Sequence, residues 1–363
     1  MKKLILSAVL LVSVATFAQK DELKILKKIY SKKSISEKDL EEYKIASDAL
    51  QSKANEESDK VYAKLYKTMY PTVVLASKGK DEVNLFTNEY VKEYGATIDE
   101  TIEFEKKSGK KILTDELIIE KASFKSAQNQ YAMSFNAAGK FKEGSDAFYK
   151  LYIFDPEEEG KSLQNAAILA IQSKDYKLSE KLYEELYKSD YLNKGVHYYA
   201  TNKATGKVED LSSKENRTKY IELGIYENPR DEKVSKMKPE VLKMLAILYN
   251  ENGEVVKAKD AYSAVRLLLP NDEELKNGEF SIYYNEGFAG LAEENKLVDE
   301  MNATNTNDKK MAGLVAKRKE MFSNVIPSFE KAYSINPDDK NTKTILKLAY
   351  EVTGQTEKLK NLK

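Results

Sequence analysis

Residues Pro239 to Asp272, PEVLKMLAILYNENGEVVKAKDAYSAVRLLLPND, decide the fold because they can be interpreted completely as two helices and a turn. Apolar residues recur at helical spacing on both sides of Gly253, which ends the first helix, and Pro270 ends the second. The apolar positions are Leu242, Leu245, Ala246 and Tyr249, followed by Val255, Ala258, Tyr262 and Val265. A hairpin of this size cannot bury both of its apolar faces alone, so we expect the sequence to repeat it.

Further copies of this hairpin pattern occur in the chain. The segment from Gly139 to Pro156, GKFKEGSDAFYKLYIFDP, carries glycine, small, aromatic and proline residues at the offsets found from Gly253 to Pro270. An aromatic residue precedes a proline by the same interval in three places, in the pairs Phe148 and Pro156, Tyr262 and Pro270, and Phe329 and Pro337. The pattern resembles the tetratricopeptide repeat, whose characteristic positions hold here Leu245, Ala246, Tyr249, Ala258, Tyr262 and Pro270.

This resemblance implies an all-α fold, a right-handed α-solenoid of tetratricopeptide-type helix-turn-helix repeats. At 363 residues the chain is long for one compact core, yet it lacks Pro- and Gly-rich linkers. A solenoid resolves this, because each repeat contacts only its neighbours. We expect degenerate helical repeats, or alternatively a separate helical bundle, over residues 19–113, and the recognisable array over residues 114–363. The array includes a long projecting hairpin at about residues 273–335 and C-terminal capping helices with a Lys-rich outer face.

Local patterns predict individual features of these helices. Ser36 and Asp39 have the spacing of a helix cap, and Pro71 should kink or end a helix. The segment GVHYYATNKATG, residues 195–206, is interpreted as the first helix of a repeat disturbed by an insertion. Residues 273–300 are interpreted as one unusually long helix, with an equally long return at residues 309–337.

The N-terminus predicts export. Lys2 and Lys3 precede the apolar run LILSAVLLVSVATF, which ends in small residues around Ala18 and is short for a membrane span. We expect a secretory signal peptide over residues 1–18, Gln19 as the first mature residue, and no transmembrane segment after cleavage; an uncleaved anchor is the alternative. The chain has no Cys, hence neither a lipid-anchor site nor disulfides. The expected location is the periplasm or the inner face of the outer membrane.

Composition argues against most enzymatic chemistry. His197 is the only histidine and there is no Cys, which excludes His-rich or thiolate metal sites and Cys nucleophiles. His197 lies beside two tyrosines on an expected helix, where packing explains it better than catalysis. The 59 basic and 59 acidic residues are interleaved, so there is no electrostatic footprint for nucleic acid. Acidic runs such as residues 157–159 should be solvated. The sequence therefore predicts a protein that is not an enzyme and binds no cofactor or metal.

The predicted function is that of an exported scaffold for a protein or peptide partner of the cell envelope. The resemblance implies that the first helices of successive repeats line a concave groove, in which mixed amide and apolar side chains suit main-chain hydrogen bonds and shallow pockets. The inward-facing positions carried over to this chain are Asn129, Met133, Asn136, Gln164, Ile168, Lys243, Ile247, Asn250, Asn277, Ser281 and Tyr284. Packing against neighbouring repeats is the alternative for each of them.

Two broader alternatives stay open. The hairpin over residues 285–325 could dock the partner in place of the groove, because it is longer than stacking requires. The alternative function is a glycan- or nutrient-binding component of an outer-membrane uptake system. Binders of that kind usually carry a lipid-anchor Cys and Trp platforms, and this chain has no Cys and no Trp.

Overall fold

The computed structural model describes residues 20–32, 34–79, 85–211, 213–306 and 309–362. This part of the chain is mostly helical, with repeated helix-turn-helix pieces and one small sheet, which confirms the expected fold class of tetratricopeptide-type helical hairpins. The chain divides into two compact units, the first ending at Asp175 and the second beginning at Tyr176. The domain boundary expected at residues 113 and 114 stays a prediction. The predicted signal peptide lies outside the described residues.

The first unit consists of helices whose ends follow local sequence signals. Ser36 and Asp39 form the predicted capping box at the start of α2. Pro71 stands in the first turn of α4, directly after the preceding helix has ended, as predicted. In the described residues the helices are α1 (Lys20–Tyr30), α2 (Glu37–Lys53), α3 (Glu57–Thr68), α4 (Tyr70–Lys78), α5 (Asn88–Ser108), α6 (Thr114–Ala137), α7 (Phe141–Phe154) and α8 (Gly160–Gln172).

The core of the first unit is centred on a close crossing of α5 and α7. A Cβ added to Gly95 would overlap the backbone carbonyl oxygen of Phe154, so only glycine permits this approach. Beside the crossing, Tyr94 and Phe154 are fully buried, and the rings of Phe124 and Phe154 lie 4.2 Å apart. Phe148, an aromatic residue of the repeat pattern, is buried as predicted. The crossing therefore fixes α6 and α7 on α5.

The second unit contains the hairpin from which the repeat was identified. That hairpin is formed by α12 and α13, and Gly253 between them has a φ of 74°, which favours glycine. Tyr262 packs among Ala258, Leu275 and their neighbours, as predicted. The elements are α9 (Tyr176–Lys188), α10 (Asp190–Lys194), β1 (Val196–Asn202), β2 (Val208–Asp210), α11 (Lys214–Glu222), β3 (Tyr226–Lys233), α12 (Lys238–Glu251), α13 (Val255–Leu268), α14 (Glu273–Ala289), α15 (Glu294–Asn302), α16 (Lys309–Ile335), α17 (Lys340–Thr353) and α18 (Thr356–Asn361).

The helix predicted over residues 195–206 is wrong. Most of that segment is β1, the central strand of an antiparallel sheet with the order β2-β1-β3. Aromatic and β-branched residues concentrate in VHYYAT and favour a strand, and Ala200 is fully buried. Arg217 of α11 links β1 to β3: it donates a hydrogen bond to the Tyr199 carbonyl at 3.4 Å and pairs with Asp231 at 2.6 Å.

The single long helix predicted over residues 273–300 is also wrong. It is interrupted between α14 and α15, at residues 290–293. Gly290 stands at this break, where an added Cβ would overlap the side chain of Val325 on α16. The return helix α16 does continue for 27 residues, and its Phe322 and Phe329 side chains are fully buried. Projection of this hairpin beyond its neighbours stays a prediction.

Candidate functional site

Three of the predicted first-helix positions share one surface of α6. Asn129, Met133 and Asn136 follow one another at helical spacing, and Met133 is 52% exposed. Ala122 and Ser126 continue the same surface towards the N-terminus and are exposed. We call the surface formed by Ala122, Ser126, Asn129, Met133 and Asn136 the amide face.

The amide face carries no free charge. The one charged residue between Ala122 and Ala137 is Lys125, whose Nζ pairs with Asp155 at 2.9 Å and Glu158 at 2.7 Å. Among the residues that the structure describes, the side-chain amides of Asn129 and Asn136 have no hydrogen-bond partner. Their donors and acceptors are therefore available to a ligand.

The next predicted pair belongs to the same unit. Gln164 is half-buried on α8, and Ile168 lies one turn further along and is 38% exposed. Both α6 and α8 approach α7 at Gly144, where an added Cβ would lie 2.9 Å from Leu169 and 3.6 Å from the backbone nitrogen of Asn136. The C-terminal end of the amide face and α8 are therefore close neighbours.

Predicted positions in the second unit are of two kinds: three side chains are engaged within the unit and three are exposed. The ammonium of Lys243 pairs with Asp272 and Glu274, each at 2.7 Å, and the hydrogen bond to Asp272 raises the pKa of Lys243. Ile247 packs on the core around Tyr262. Tyr284 packs with its ring 5.7 Å from that of Phe329. Asn250, Asn277 and Ser281 are exposed.

The structure also shows a groove that sequence reasoning missed. It lies between α4, α6 and α7 and has a volume of about 1050 Å³, and among the described residues it is open to solvent. Its apolar lining includes Phe86, Phe124, Ala127, Tyr131 and Phe135, and we call it the aromatic groove. The sequence signal for this groove was the apolar stripe at positions 124, 127, 131 and 135 of α6, but apolar residues at this helical spacing are also typical of a buried core.

The aromatic groove and the amide face lie on opposite sides of α6. Ala127 and Tyr131 each precede a residue of the amide face by two positions, which is about half a turn of an α-helix. A ligand bound in the groove therefore does not need to contact Asn129 or Met133.

His197 is held as a structural residue of the sheet. Its Nδ1 lies 2.5 Å from Oδ2 of Asp210, so it joins β1 to β2, and its Nε2 lies 3.5 Å from the Tyr191 hydroxyl. No group of three or more His, Cys, Asp or Glu residues in the described ranges could hold a metal ion. No helix in the same ranges is long and apolar enough to cross a membrane.

Comparisons with known proteins find similarity to solved structures, at low sequence identity. No protein-family model matches the chain, and no curated protein does. A tetratricopeptide repeat protein from Parabacteroides merdae is 15% identical, with 84% of this chain and 98% of that chain covered and a TM-score of 0.24. The Cut9–Hcn1 hetero-tetramer of APC/C is 14% identical, with 85% of this chain and 59% of that chain covered and a TM-score of 0.21. The P58(IPK) TPR domain is 14% identical, with 94% of this chain and 99% of that chain covered and a TM-score of 0.15.

The three solved structures are all tetratricopeptide-repeat proteins. Since the TM-scores are 0.24 or lower, these superpositions carry no argument about the function of this chain. The assignment to tetratricopeptide-type hairpins is supported by the chain's own repeated helix pairs, with the Gly253 turn and the buried Tyr262.

Proposed function

We propose that this chain is a non-enzymatic scaffold that binds an extended segment of a protein partner along the amide face of α6. The observation that carries the proposal is the row of Asn129, Met133 and Asn136, which combines unpartnered amides with an apolar side chain; Asn129 and Met133 are exposed and Asn136 is half-buried. Repeat proteins of this architecture use such extended surfaces for binding other proteins. Catalysis is not part of the proposal, because the one histidine is committed to Asp210.

The chemistry of the amide face favours the main chain of the partner over its charged side chains. A side-chain amide offers one acceptor and two donors, which match the N–H and C=O groups of an extended peptide. Lys125, the nearest charge on α6, is neutralised by Asp155 and Glu158. A strongly acidic motif would therefore find no unpaired ammonium group here. Met133 adds an adaptable apolar contact for a partner side chain.

Export is the second part of the proposal. It is supported by the two lysines and the apolar run that precede Ala18, and it places the mature protein in the periplasm or at the inner face of the outer membrane. N-terminal sequencing of the protein isolated from its own cells should give Gln19 or an adjacent residue as the first. Recovery of intact Met1 would refute the cleavage.

Site-specific photo-crosslinking tests the binding surface. Benzoylphenylalanine at Ser126, within the amide face, should crosslink a defined segment of an envelope protein in living cells. Asn129→Asp with Asn136→Asp keeps the side-chain size but replaces the donors by charge, so the yield should fall at least about tenfold. The matched control is Asn250→Asp with Asn277→Asp, which changes exposed amides of the second unit and should preserve the yield.

The same experiment separates the amide face from the hairpin. Benzoylphenylalanine at Ala316, an exposed residue of α16, reports docking on the hairpin. Crosslinks from Ala316 that persist in the Asn129 and Asn136 double variant, together with none from Ser126, would assign binding to the hairpin and overturn the proposal. Crosslinking of glycan in place of protein would favour a nutrient-binding component.

A further inference from the structure

The aromatic groove has an apolar floor of packed aromatic rings. The Phe124 ring lies 4.2 Å from the buried ring of Phe154 and 6.4 Å from that of Phe86, while the rings of Tyr131 and Phe135 lie 4.5 Å apart. Tyr131 is nevertheless 46% exposed. An aromatic surface that is held in place yet faces solvent gains free energy when a partner covers it.

The walls of the groove are helices, which offer little to the main chain of a partner. Backbone N–H and C=O groups within a helix are paired with each other, so a helical wall cannot extend a β-ladder. Gln128, an amide at the floor, already donates to the Ala147 carbonyl at 2.9 Å. An occupant that satisfies its own backbone hydrogen bonds, as an α-helix does, therefore fits this groove better than an extended peptide.

The length of the groove sets the length of the occupant. Its lining residues on α6 run from Glu120 to Phe135, which corresponds to about 22 Å at 1.5 Å per residue. A helix lying along this floor would make contact over roughly four turns and would present an apolar stripe at helical spacing.

Charges around the groove favour a basic partner. The charged lining residues are Glu120, Lys142, Glu143, Asp146 and Lys150. Lys150 pairs with Asp146 at 2.8 Å, which leaves the carboxylates of Glu120 and Glu143 against the single ammonium of Lys142. Glu120 keeps an acidic group at one end, where it accepts a hydrogen bond from the Tyr94 hydroxyl at 2.5 Å. Lysine or arginine on the polar face of the partner would complement this excess.

We infer that the aromatic groove is a second docking site, which binds an amphipathic helix of a protein partner with an apolar stripe and a basic polar face. This site does not depend on the amide face, because the two surfaces lie on opposite sides of α6. The chain can therefore hold two segments at once, one in each surface.

Designed peptides test the inference on the mature chain. The chain contains no Trp, so one Trp in the apolar stripe of a 15-residue Leu/Lys helix reports burial by a blue shift of its emission. Three matched probes complete the set: a peptide of the same composition with scattered leucines, a peptide with Glu on its polar face, and a proline-interrupted peptide that cannot form a helix. We expect the Leu/Lys helix to bind at least tenfold more tightly than each of the other three.

Two alanines of the same helix provide a matched pair of variants. Ala127→Glu places a carboxylate on the exposed floor of the groove and should weaken binding of the Leu/Lys helix at least tenfold. Ala122→Glu makes the same change on the amide face and should leave that affinity within twofold. Circular dichroism of both variants checks that each is folded.

A charge reversal keeps the inference testable if Ala127→Glu fails to fold. Glu143→Lys changes an exposed residue of the rim and should weaken the Lys-faced helix while strengthening the Glu-faced one. Equal binding of the helical and scattered peptides would overturn the inference, as would equal effects of Ala122→Glu and Ala127→Glu. Displacement of every probe by lysophosphatidylcholine, with no preference among peptides, would assign the groove to an acyl chain and would also overturn it.

Discussion

Replacement of Glu105 by glutamine should loosen the start of α6, the helix that carries both surfaces. The Glu105 carboxylate is fully buried and caps this helix. Its Oε2 accepts from the backbone N–H groups of Ile112 and Thr114, each at 2.9 Å, and from the Thr114 hydroxyl at 2.5 Å. Its Oε1 accepts from the Leu113 N–H and from the Tyr62 hydroxyl, each at 2.9 Å. The carboxylate thus satisfies donors that the first turn of a helix leaves unpaired.

The magnitude follows from which of these bonds an amide can keep. In Glu105→Gln the oxygen can remain at the Oε2 position, but the NH₂ group then faces the Leu113 N–H and the Tyr62 hydroxyl. The Tyr62 hydroxyl loses a hydrogen bond to a charged group, worth about 1.5–3 kcal/mol, and the Leu113 N–H keeps only its longer contact to the remaining oxygen, at 3.1 Å. With about 0.5–1 kcal/mol for the weakened Leu113 bond, we expect a total loss of about 2–4 kcal/mol. Breaking a buried charge network by removing one partner gives costs of about the same size.

Hydrogen exchange with mass spectrometry measures this loss locally, which suits a repeat protein whose unfolding need not be two-state. Amides at residues 115–120 should exchange roughly 30- to 1000-fold faster in Glu105→Gln, since 1.4 kcal/mol corresponds to a factor of ten. Glu103→Gln is the matched control. Its carboxylate is exposed and pairs with Lys107 at 2.8 Å, so exchange at residues 115–120 should stay close to that of the unchanged protein. Equal exchange in the two variants would refute the capping role of Glu105.

Three further predictions concern pH and packing. Burial would raise the pKa of Glu105, but hydrogen bonds led by the Thr114 hydroxyl and the Leu113 N–H outweigh it and lower the pKa. The Glu105 carboxylate therefore stabilises the fold fully above about pH 4.3, and this stabilisation is lost as the pH falls through the lowered pKa of the folded state. The stability of the first unit should consequently fall less on acidification in Glu105→Gln. Gly95→Ala should lower the free energy of unfolding by about 1–3 kcal/mol, because the added Cβ has no space. Gly313→Ala, whose added Cβ would have no atom within 4 Å, should raise the free energy of unfolding by about 0.5–1 kcal/mol; urea unfolding measures both. Tyr262→Ala, at a side chain that is 3% exposed, should cost on the order of 3–5 kcal/mol by thermal or urea denaturation, and a loss below about 1 kcal/mol would contradict its burial.

Replacement of Asn250 and replacement of Tyr284, two of the predicted groove positions, test different properties. Tyrosine is one of the residue types that contribute most to protein interfaces. In the structure the Tyr284 ring packs against Phe329, so Tyr284→Ala should lower stability whether or not a partner is present. Asn250→Asp alone separates binding from folding, since Asn250 is exposed.

The sequence by itself determined the repeated hairpin. Spacing of apolar residues, the left-handed glycine at residue 253 and the aromatic at residue 262 are local signals, and local signals decide where helices begin, end and bury a face. The same kind of signal correctly placed the cap at Ser36 and the end of a helix just before Pro71. It failed for residues 196–202, where tyrosines at ambiguous spacing became a strand once β2 and β3 supplied partners.

Only the tertiary structure decided which side chains are available for binding. Lys243 occupies a predicted groove position, but its ammonium pairs with Asp272, 29 positions away in the sequence. Tyr131 and Phe135 had the spacing of a core stripe, yet they line an open groove, because α4 and α7 pack on either side of it without covering it. Periodicity specifies one face of a helix, but whether that face is covered depends on elements distant in sequence, and that choice is made only when the chain folds.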